Sequence, residues 1–194
     1  MERNPLGQSE IQVSKIAFGL MSLSQTYGES VDEESLDTIH TALDEGLTFL
    51  DTAEIYGMGH NERLLGQVLS TRRHEAIVAT KFGLELAEGG MRANGRPENV
   101  RRAIEGSLDR LGIETVDLYY LHRADPDVAI EETVGSMARL VEEGKVRALG
   151  LSEVNADTLR RANGEHPIAA LQSEFSVFQR HPEQETVSYT HLTL

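Results

Sequence analysis

The chain has 194 residues, 39% of them hydrophobic and 26% charged, which suits one domain built around a single core. It contains no Cys, which excludes disulfides, thiolate metal sites and a thiol nucleophile and is typical of a reducing compartment such as the cytoplasm. A net charge of -14 argues against nucleic acid or anionic lipid as a partner. We expect neither a signal peptide nor a membrane span, because residues 1–7 contain no apolar run and no apolar run anywhere approaches ~18 residues.

Strands and helices are predicted to alternate along the chain. Apolar runs of strand type alternate with segments that have apolar residues at helical spacing or helix start and stop residues. In chain order, the predicted elements are a strand at 15–20, a helix at 31–43, a strand at 47–50, a helix at 61–69, a strand at 76–80, a helix at 97–111, a strand at 116–121, a helix at 129–143, a strand at 146–151, a helix at 156–162 and a strand at 168–172. Asp32 is predicted to cap the first helix, and Gly46 to end it.

This alternation indicates βαβ units and a parallel sheet. Six units fit either an open doubly wound sheet or part of a (β/α)8 barrel, whose complete form takes ~250 residues. The first strand-to-helix turn, residues 19–24 (GLMSLS), lacks the G-x-G-x-x-G pattern, which argues against a dinucleotide-binding Rossmann sheet. We therefore predict an α/β fold, an incomplete parallel (β/α)8 TIM barrel with about six units. The polar, Gly-containing loop 86–96 is predicted to lie exposed over its mouth.

Four chemically active side chains follow successive predicted strands. Asp51 and Tyr56 come after the second strand, Lys81 ends the third, and His122 ends the fourth. The carboxyl ends of parallel strands meet at one edge of the sheet, which is where α/β proteins carry their chemistry. We therefore expect the acid, the phenol, the amine and the imidazole to converge.

The four side chains together have the chemistry of a proton-donating site for carbonyl reduction. Reduction by hydride needs an acid that protonates the carbonyl oxygen as charge develops there. A phenol is a weak acid near neutral pH, but an adjacent ammonium group favours the phenolate. Tyr56 is thus predicted to be the general acid and Lys81 to supply the charge. Asp51 would hold Lys81 in place, and His122 would orient the substrate oxygen or assist the proton transfer.

Each of these residues also has an ordinary structural explanation, such as a turn cap, a surface contact or a solvated charge, and their joint position is what favours a function. Lys81 acting as a Schiff-base nucleophile stays open as an alternative, although a neighbouring Asp51 would keep its amine protonated. No metal site is predicted, because Glu54, His60 and Glu62 lack a spacing such as H-E-x-x-H. No G-x-S-x-G motif of a serine hydrolase occurs.

The segments that carry these residues resemble the aldo-keto reductase family, in particular its bacterial aryl-aldehyde and general-stress reductases and the related potassium-channel β subunits. The resemblance covers residues 5–185, and its motifs are residues 50–57 (LDTAEIYG), 79–83 (ATKFG), 117–123 (DLYYLHR) and 142–152 (EEGKVRALGLS).

This resemblance implies a barrel closed at its bottom by an N-terminal β-hairpin, which suits the partial polar and apolar alternation of residues 9–13. It implies NADPH lying across the mouth, with NADH as an alternative, and a small-molecule carbonyl substrate. The family's catalytic and cofactor-binding positions correspond here to Asp51, Tyr56, Lys81 and His122, and to Met21, Asp51, Ser152 and Gln172. The implied activity is reversible reduction of aldehydes and ketones to alcohols. The alternative is a cofactor-binding regulatory subunit of the channel β-subunit type.

The sequence departs from the family pattern in two places. Glu153 follows Ser152 where many members have Asn, so the role of that Asn is not assigned, and Asn155 or water is the expected substitute. The family also continues beyond the sixth unit, into a segment that supplies an aromatic residue and a basic phosphate-binding loop. We therefore expect a partial barrel over residues 1–187 and a tail of other origin over residues 188–194. We also expect no activity from these 194 residues alone.

Overall fold

The chain begins with a β-hairpin in the computed structural model, which describes residues 1–24, 28, 30–183 and 186. Strands β1 (Arg3–Pro5) and β2 (Gln12–Ser14) pair in antiparallel fashion, which confirms the predicted N-terminal hairpin. Leu6, Ile11 and Val13 of this hairpin are buried against one face of the central sheet, so the hairpin covers that face.

A six-stranded parallel sheet forms the centre of the fold. Its strands are, in chain order, β3 (Ala17–Gly19), β4 (Phe49–Asp51), β5 (Ile77–Phe82), β8 (Val116–Leu121), β9 (Val146–Ser152) and β10 (Ile168–Gln172). Between β5 and β8, the strands β6 (Leu84–Ala87) and β7 (Gly90–Ala93) form a small hairpin that is separate from this sheet. The order of neighbours is β3-β4-β5-β8-β9-β10, and every pair is parallel. The strands therefore follow one another around the sheet as they do along the chain.

Five helices of the described chain connect these strands. They are α1 (Asp32–Asp44), α2 (His60–Arg72), α3 (Pro97–Leu111), α4 (Ile130–Glu142) and α5 (Ala156–Glu165). Their buried apolar residues form one core with the sheet face opposite the hairpin; in α4, for example, Ile130, Val134 and Met137 recur at helical spacing. This arrangement confirms the predicted α/β fold, a partial (β/α)8 barrel with an inner face toward the hairpin and an outer face toward the helices.

The structure corrects two local predictions. Asp32 does not cap α1: Val31 occupies the capping position without a side-chain hydrogen bond, and the Asp32 carboxylate instead lies 3.1 Å from Nε2 of His60. The predicted loop 86–96 is largely the β6–β7 hairpin, whose turn is made by Gly89 and Gly90 at φ values of 96° and 128°. Only glycine adopts such backbone angles without strain, so this pair permits a tight turn where a loop was expected.

Several other predicted elements differ from the observed ones only in their ends. Helix α2 runs on to Arg72, beyond the predicted end at residue 69, and β3 is shorter than the predicted strand at 15–20. The expected tail over residues 188–194 lies outside the described residues.

Of the helices that the structure describes, none is both long enough and apolar enough to cross a membrane.

The two outer strands of the sheet lead to a prediction about association. Within the described chain, β3 and β10 each pair with one strand only, and Val177 and Phe178, shortly after β10, are 83% and 96% exposed. Unpaired strand edges and exposed apolar side chains promote association. We expect the 194-residue polypeptide, expressed alone, to self-associate in sedimentation velocity runs at increasing concentration.

The matched control for this experiment is the same polypeptide carrying Val177→Lys and Phe178→Lys, which should associate less because the exposed apolar segment has become charged. A monomeric polypeptide with a cooperative thermal melt and a native-like near-ultraviolet circular dichroism signal would contradict the prediction.

Candidate active site

Four polar side chains meet where β4, β5 and β8 end. Nζ of Lys81 lies 2.7 Å from Oδ2 of Asp51 and 3.2 Å from Oη of Tyr56. The rings of Tyr56 and His122 meet edge to face, with centroids 5.8 Å apart and an interplanar angle of 83°. The structure thus brings together all four residues that the strand positions singled out.

The strand geometry explains why three of these side chains face the same way. Side chains alternate between the two faces of a strand, and Ala79 of β5 belongs to the inner-face cluster beneath the hairpin. Lys81, two residues further along β5, therefore also points inward, as does Asp51 at the end of the neighbouring strand β4. His122 directly follows β8, and its backbone amide donates to the carbonyl of Phe82 and so extends the pairing of β8 with β5.

Tyr56 reaches the site from the turn after β4. The chain reverses directly after it, because Gly57 and Met58 both adopt left-handed backbone angles, with φ values of 56° and 54°. A Cβ at position 57 would lie 3.0 Å from the Cβ atoms of Ser24 and His60, so the space there fits glycine. The reversal keeps the Tyr56 ring over the strand ends, where Nζ of Lys81 lies 4.9 Å from its centroid.

The Lys81 ammonium group is fully buried and makes three hydrogen bonds. It donates to Oδ2 of Asp51 at 2.7 Å, to the Thr52 carbonyl at 2.9 Å and to Oη of Tyr56 at 3.2 Å. An ammonium group has three donors and no acceptor, so these bonds use all of its protons. Oη of Tyr56 therefore accepts a hydrogen bond from the ammonium group, and the phenolic proton is left available for another acceptor.

His122 is neutral at physiological pH. Burial, followed by the nearby charges of Lys81 and Arg123, lowers its pKa from 6.5 to about 3. Its Nδ1 is buried and has no hydrogen-bond partner in the described part of the chain. A neutral imidazole has one N–H donor and one bare acceptor nitrogen. This environment suits a hydrogen-bond donor to a substrate oxygen better than a proton-donating acid.

The residues matched to cofactor binding lie at the same edge of the sheet. Ser152 ends β9, and its Oγ accepts a hydrogen bond of 3.1 Å from Nη1 of Arg123. Gln172 ends β10, and its Nε2 donates to Oδ2 of Asp51 at 3.3 Å. Met21 begins a short 3₁₀ turn just after β3.

These side chains fit the carboxamide of a nicotinamide ring. Such an amide needs acceptors for its NH₂ group and a donor for its oxygen. Oδ1 of Asp51 is buried without a partner among the described residues, and the hydroxyl of Ser152 and the amide of Gln172 can each donate or accept. By contrast, no three His, Asp or Glu side chains in the described ranges are arranged to hold a metal ion.

Sequence reasoning missed one part of the site. The Thr52 carbonyl binds Lys81 through the backbone, and no side-chain pattern signals such a contact. Asn155, which with water was the expected substitute for the family's Asn, caps α5 by accepting a 2.8 Å hydrogen bond from the Thr158 amide at its Oδ1. Glu153 accepts a hydrogen bond from the backbone amide of Glu174. Both side chains are thus bound to neighbouring backbone.

Comparison with known proteins identifies relatives of this chain. Residues 15–192 match the profile of the Aldo/keto reductase family. The curated protein named "Probable aldo-keto reductase 1", from Glycine max, is 46% identical over 187 residues, which are 94% of this chain and 54% of that protein. The chain therefore spans about half the length of this curated relative.

Two solved structures are similar to this chain in both fold and sequence. The aldo-keto reductase AKR11C1 from Bacillus halodurans, in its holo form, is 31% identical with a TM-score of 0.85, and the match covers 95% of this chain and 61% of that one. The glycerol dehydrogenase AKR11B4 from Gluconobacter oxydans is 33% identical with a TM-score of 0.86, covering 94% and 58% of the two chains.

The lowered pKa of His122 leads to a prediction about pH. We expect its imidazole nitrogens to show the neutral form in ¹⁵N NMR spectra throughout the range from about pH 5 to about pH 8. Arg123→Ala should raise the pKa of His122 only slightly, because burial is the larger cause of the shift. A titration midpoint of His122 near its ordinary pKa of about 6.5 would contradict this prediction.

The same shift predicts a contribution to acid unfolding. A histidine in the unfolded chain binds a proton near pH 6.5, whereas His122 in the folded chain does so only at about pH 3. Between these values the unfolded state binds more protons, so the free energy of unfolding should fall as the pH is lowered from about 6.5 towards 3. In His122→Gln, the free energy of unfolding measured with urea should fall less steeply over this pH range. The same pH dependence in the variant and the wild type would contradict the lowered pKa of His122.

Proposed function

Since this chain belongs to the aldo-keto reductase family, we propose that the complete protein carrying it is a cytoplasmic enzyme that reversibly reduces aldehydes and ketones to alcohols with NADPH, Tyr56 being the general acid. One observation carries the proposal. The buried Lys81 ammonium donates hydrogen bonds to both Asp51 and Tyr56, which leaves the phenolic proton free for a substrate.

The proton step follows from these contacts. A nicotinamide held at the strand ends would supply a hydride to the carbonyl carbon, so negative charge would develop on the carbonyl oxygen. Tyr56 donates its proton to that oxygen and is left as a phenolate, which accepts the hydrogen bond from the Lys81 ammonium. In alcohol oxidation the steps run in reverse, with the phenolate as the base. Asp51 keeps the ammonium charged throughout, because a buried cation without a partner is strongly disfavoured.

His122 is assigned a hydrogen bond to the substrate oxygen. Its pKa of about 3 means that it carries no extra proton to give at neutral pH. A neutral N–H donor next to the Tyr56 ring can fix the angle at which the carbonyl oxygen meets the phenol. Of the two roles considered for His122, orientation of the substrate is therefore the better supported.

Met21, Asp51, Ser152 and Gln172 are assigned to hold the nicotinamide end of the cofactor. The support for this is that the polar members of the set match the donors and acceptors of a carboxamide. Our choice of NADPH over NADH rests on the family resemblance alone. Because a structurally similar protein is named a glycerol dehydrogenase, alcohols with neighbouring hydroxyl groups are a sensible substrate set for the oxidation direction.

The alternative functions use these contacts less well. A Schiff-base lyase needs an unprotonated amine at Lys81, whereas all three ammonium protons are engaged in hydrogen bonds. A regulatory subunit that senses its cofactor does not require a proton donor aimed at a substrate, although such a subunit can keep the same four residues. Turnover of a carbonyl substrate by the complete protein therefore separates the two functions.

Tyr56→Phe in the complete protein is the direct test of the proposed function. The change removes the acidic proton and keeps the ring, so NADPH oxidation with 4-nitrobenzaldehyde should fall by at least about a hundredfold. Cofactor binding, measured by fluorescence titration, should be retained. Full reductase activity in this variant would rule out Tyr56 as the acid.

The matched control is Tyr119→Phe. The hydroxyl of Tyr119 is fully buried and has no hydrogen-bond partner in the part of the chain that the structure describes, so removing it should leave carbonyl reduction unchanged. A loss of activity equal to that of Tyr56→Phe would show that the assay responds to any lost phenol.

Trapping with borohydride separates reductase from lyase chemistry. Incubation of the protein with carbonyl substrate and borohydride should leave Lys81 unmodified in peptide mass spectra, because its amine stays protonated. A reduced substrate adduct on Lys81 would instead support the Schiff-base reading.

A further inference from the structure

A second set of buried polar groups lies behind the Lys81 ammonium. The peptide and side chain of Thr52, which is 0% exposed, are held at three points. Its amide donates to the Ala79 carbonyl at 2.9 Å, its carbonyl accepts from Lys81 at 2.9 Å, and its hydroxyl donates to Oδ1 of Asn61 at 2.6 Å. The residue whose carbonyl binds the ammonium is therefore fixed to β5 through its backbone amide and to α2 through its side chain.

Asn61 in turn is anchored to a third segment of the chain. It is 1% exposed in the first turn of α2, and its Nδ2 donates to the Leu20 carbonyl and to Oγ of Ser24, both at 2.7 Å. Its amide thus uses two donors and one acceptor. Asn61 joins the start of α2 to the end of β3 and to Thr52. Because Asn61 is itself held in place, its Oδ1 fixes the direction in which the Thr52 hydroxyl points.

The direction of the Thr52 carbonyl matters because of how an ammonium group is oriented. Its three N–H bonds lie at fixed angles, so two firmly placed acceptors determine where the third points. For Lys81 those acceptors are Asp51 and the Thr52 carbonyl, and the third proton is directed at Tyr56. No solvent reaches this fully buried group, and a lost acceptor leaves an unsatisfied donor.

We propose that Thr52, anchored by Asn61, is a positioning residue that aims the Lys81 ammonium at the phenolic oxygen of Tyr56. Neither Thr52 nor Asn61 lies among the residues assigned above to the substrate or the cofactor. The kinetic consequence of this inference rests on the proposed reductase function, whereas its structural consequence does not.

The variants that test the inference differ by one hydroxyl. Thr52→Val keeps the shape of the side chain and removes its bond to Asn61, and Thr52→Ser restores the hydroxyl. Thr133→Val is the matched control, because Thr133 is 1% exposed and donates to the Gly95 carbonyl at 2.7 Å, away from Lys81. If Thr52→Val does not fold, Thr52→Ala provides the same comparison.

The first readout is NMR of the lysine side-chain amines and needs no activity. The 194 residues contain only three lysines, Lys15, Lys81 and Lys145, so ¹⁵Nζ-labelled lysine gives few signals from them. The signal that disappears in Lys81→Arg is that of the buried Lys81 amine. Thr52→Val should shift or broaden the Lys81 signal, whereas Thr52→Ser and Thr133→Val should leave it as in the wild type. An unchanged Lys81 signal in Thr52→Val would overturn the inference.

The second readout is steady-state carbonyl reduction by the complete protein. Thr52→Val should lower kcat about ten- to a hundredfold, as expected for a misdirected group near the reacting atoms. KM and cofactor affinity should change little, and Thr52→Ser should restore kcat. Equal kcat values for Thr52→Val and Thr133→Val would contradict the positioning role. If the wild type shows no carbonyl turnover, the proposed function fails, and the NMR comparison still decides the inference.

Discussion

The buried positive charge of Lys81 is the constraint on which the rest of the site depends. An ammonium group removed from water is tolerated only with a paired anion and with all its protons hydrogen-bonded. β4 and β5 are neighbours in the sheet, so the anion, Asp51, and the cation come from adjacent strands. Tyr56 follows a few residues after Asp51 and accepts the remaining proton. The phenol is therefore brought to the charge by the order of the strands.

Other buried carboxylates in this fold are fully satisfied by their partners. Asp117 accepts hydrogen bonds from the Val78 amide and from the guanidinium groups of Arg73 and Arg147. These contacts tie strands and turns together and leave no oxygen of that carboxylate free. The carboxylate of Glu62 is likewise shared between partners on β5 and α3.

The site at the strand ends differs from these structural pairs. Oδ1 of Asp51 and Nδ1 of His122 are buried without partners in the described chain, although each is a strong hydrogen-bonding atom. Buried polar atoms are normally paired, and two unpaired ones beside other reactive side chains suit a place where a ligand or water completes the bonding. The contrast with Asp117 and Glu62 thus separates buried carboxylates that support the fold from the polar atoms at the strand ends, which are left to bind a ligand.

Much of this arrangement was readable in the sequence because it follows from periodicity. The alternation of strands and helices predicted the parallel sheet, and the positions of Asp51, Tyr56, Lys81 and His122 at strand ends predicted that they meet. What could not be read depends on backbone groups and on competing partners. The Thr52 carbonyl has no side-chain signature, and Asp32 has the composition of a helix cap but pairs with His60 instead.

Neutron diffraction from crystals of the deuterated complete protein would test the central claim most directly, because it locates the protons on Lys81 and Tyr56. We expect three deuterons on Nζ of Lys81, directed at Asp51, the Thr52 carbonyl and Oη of Tyr56, and a phenolic deuteron that points away from Lys81. A neutral amine with two deuterons, or a phenolic deuteron directed at Nζ, would contradict it.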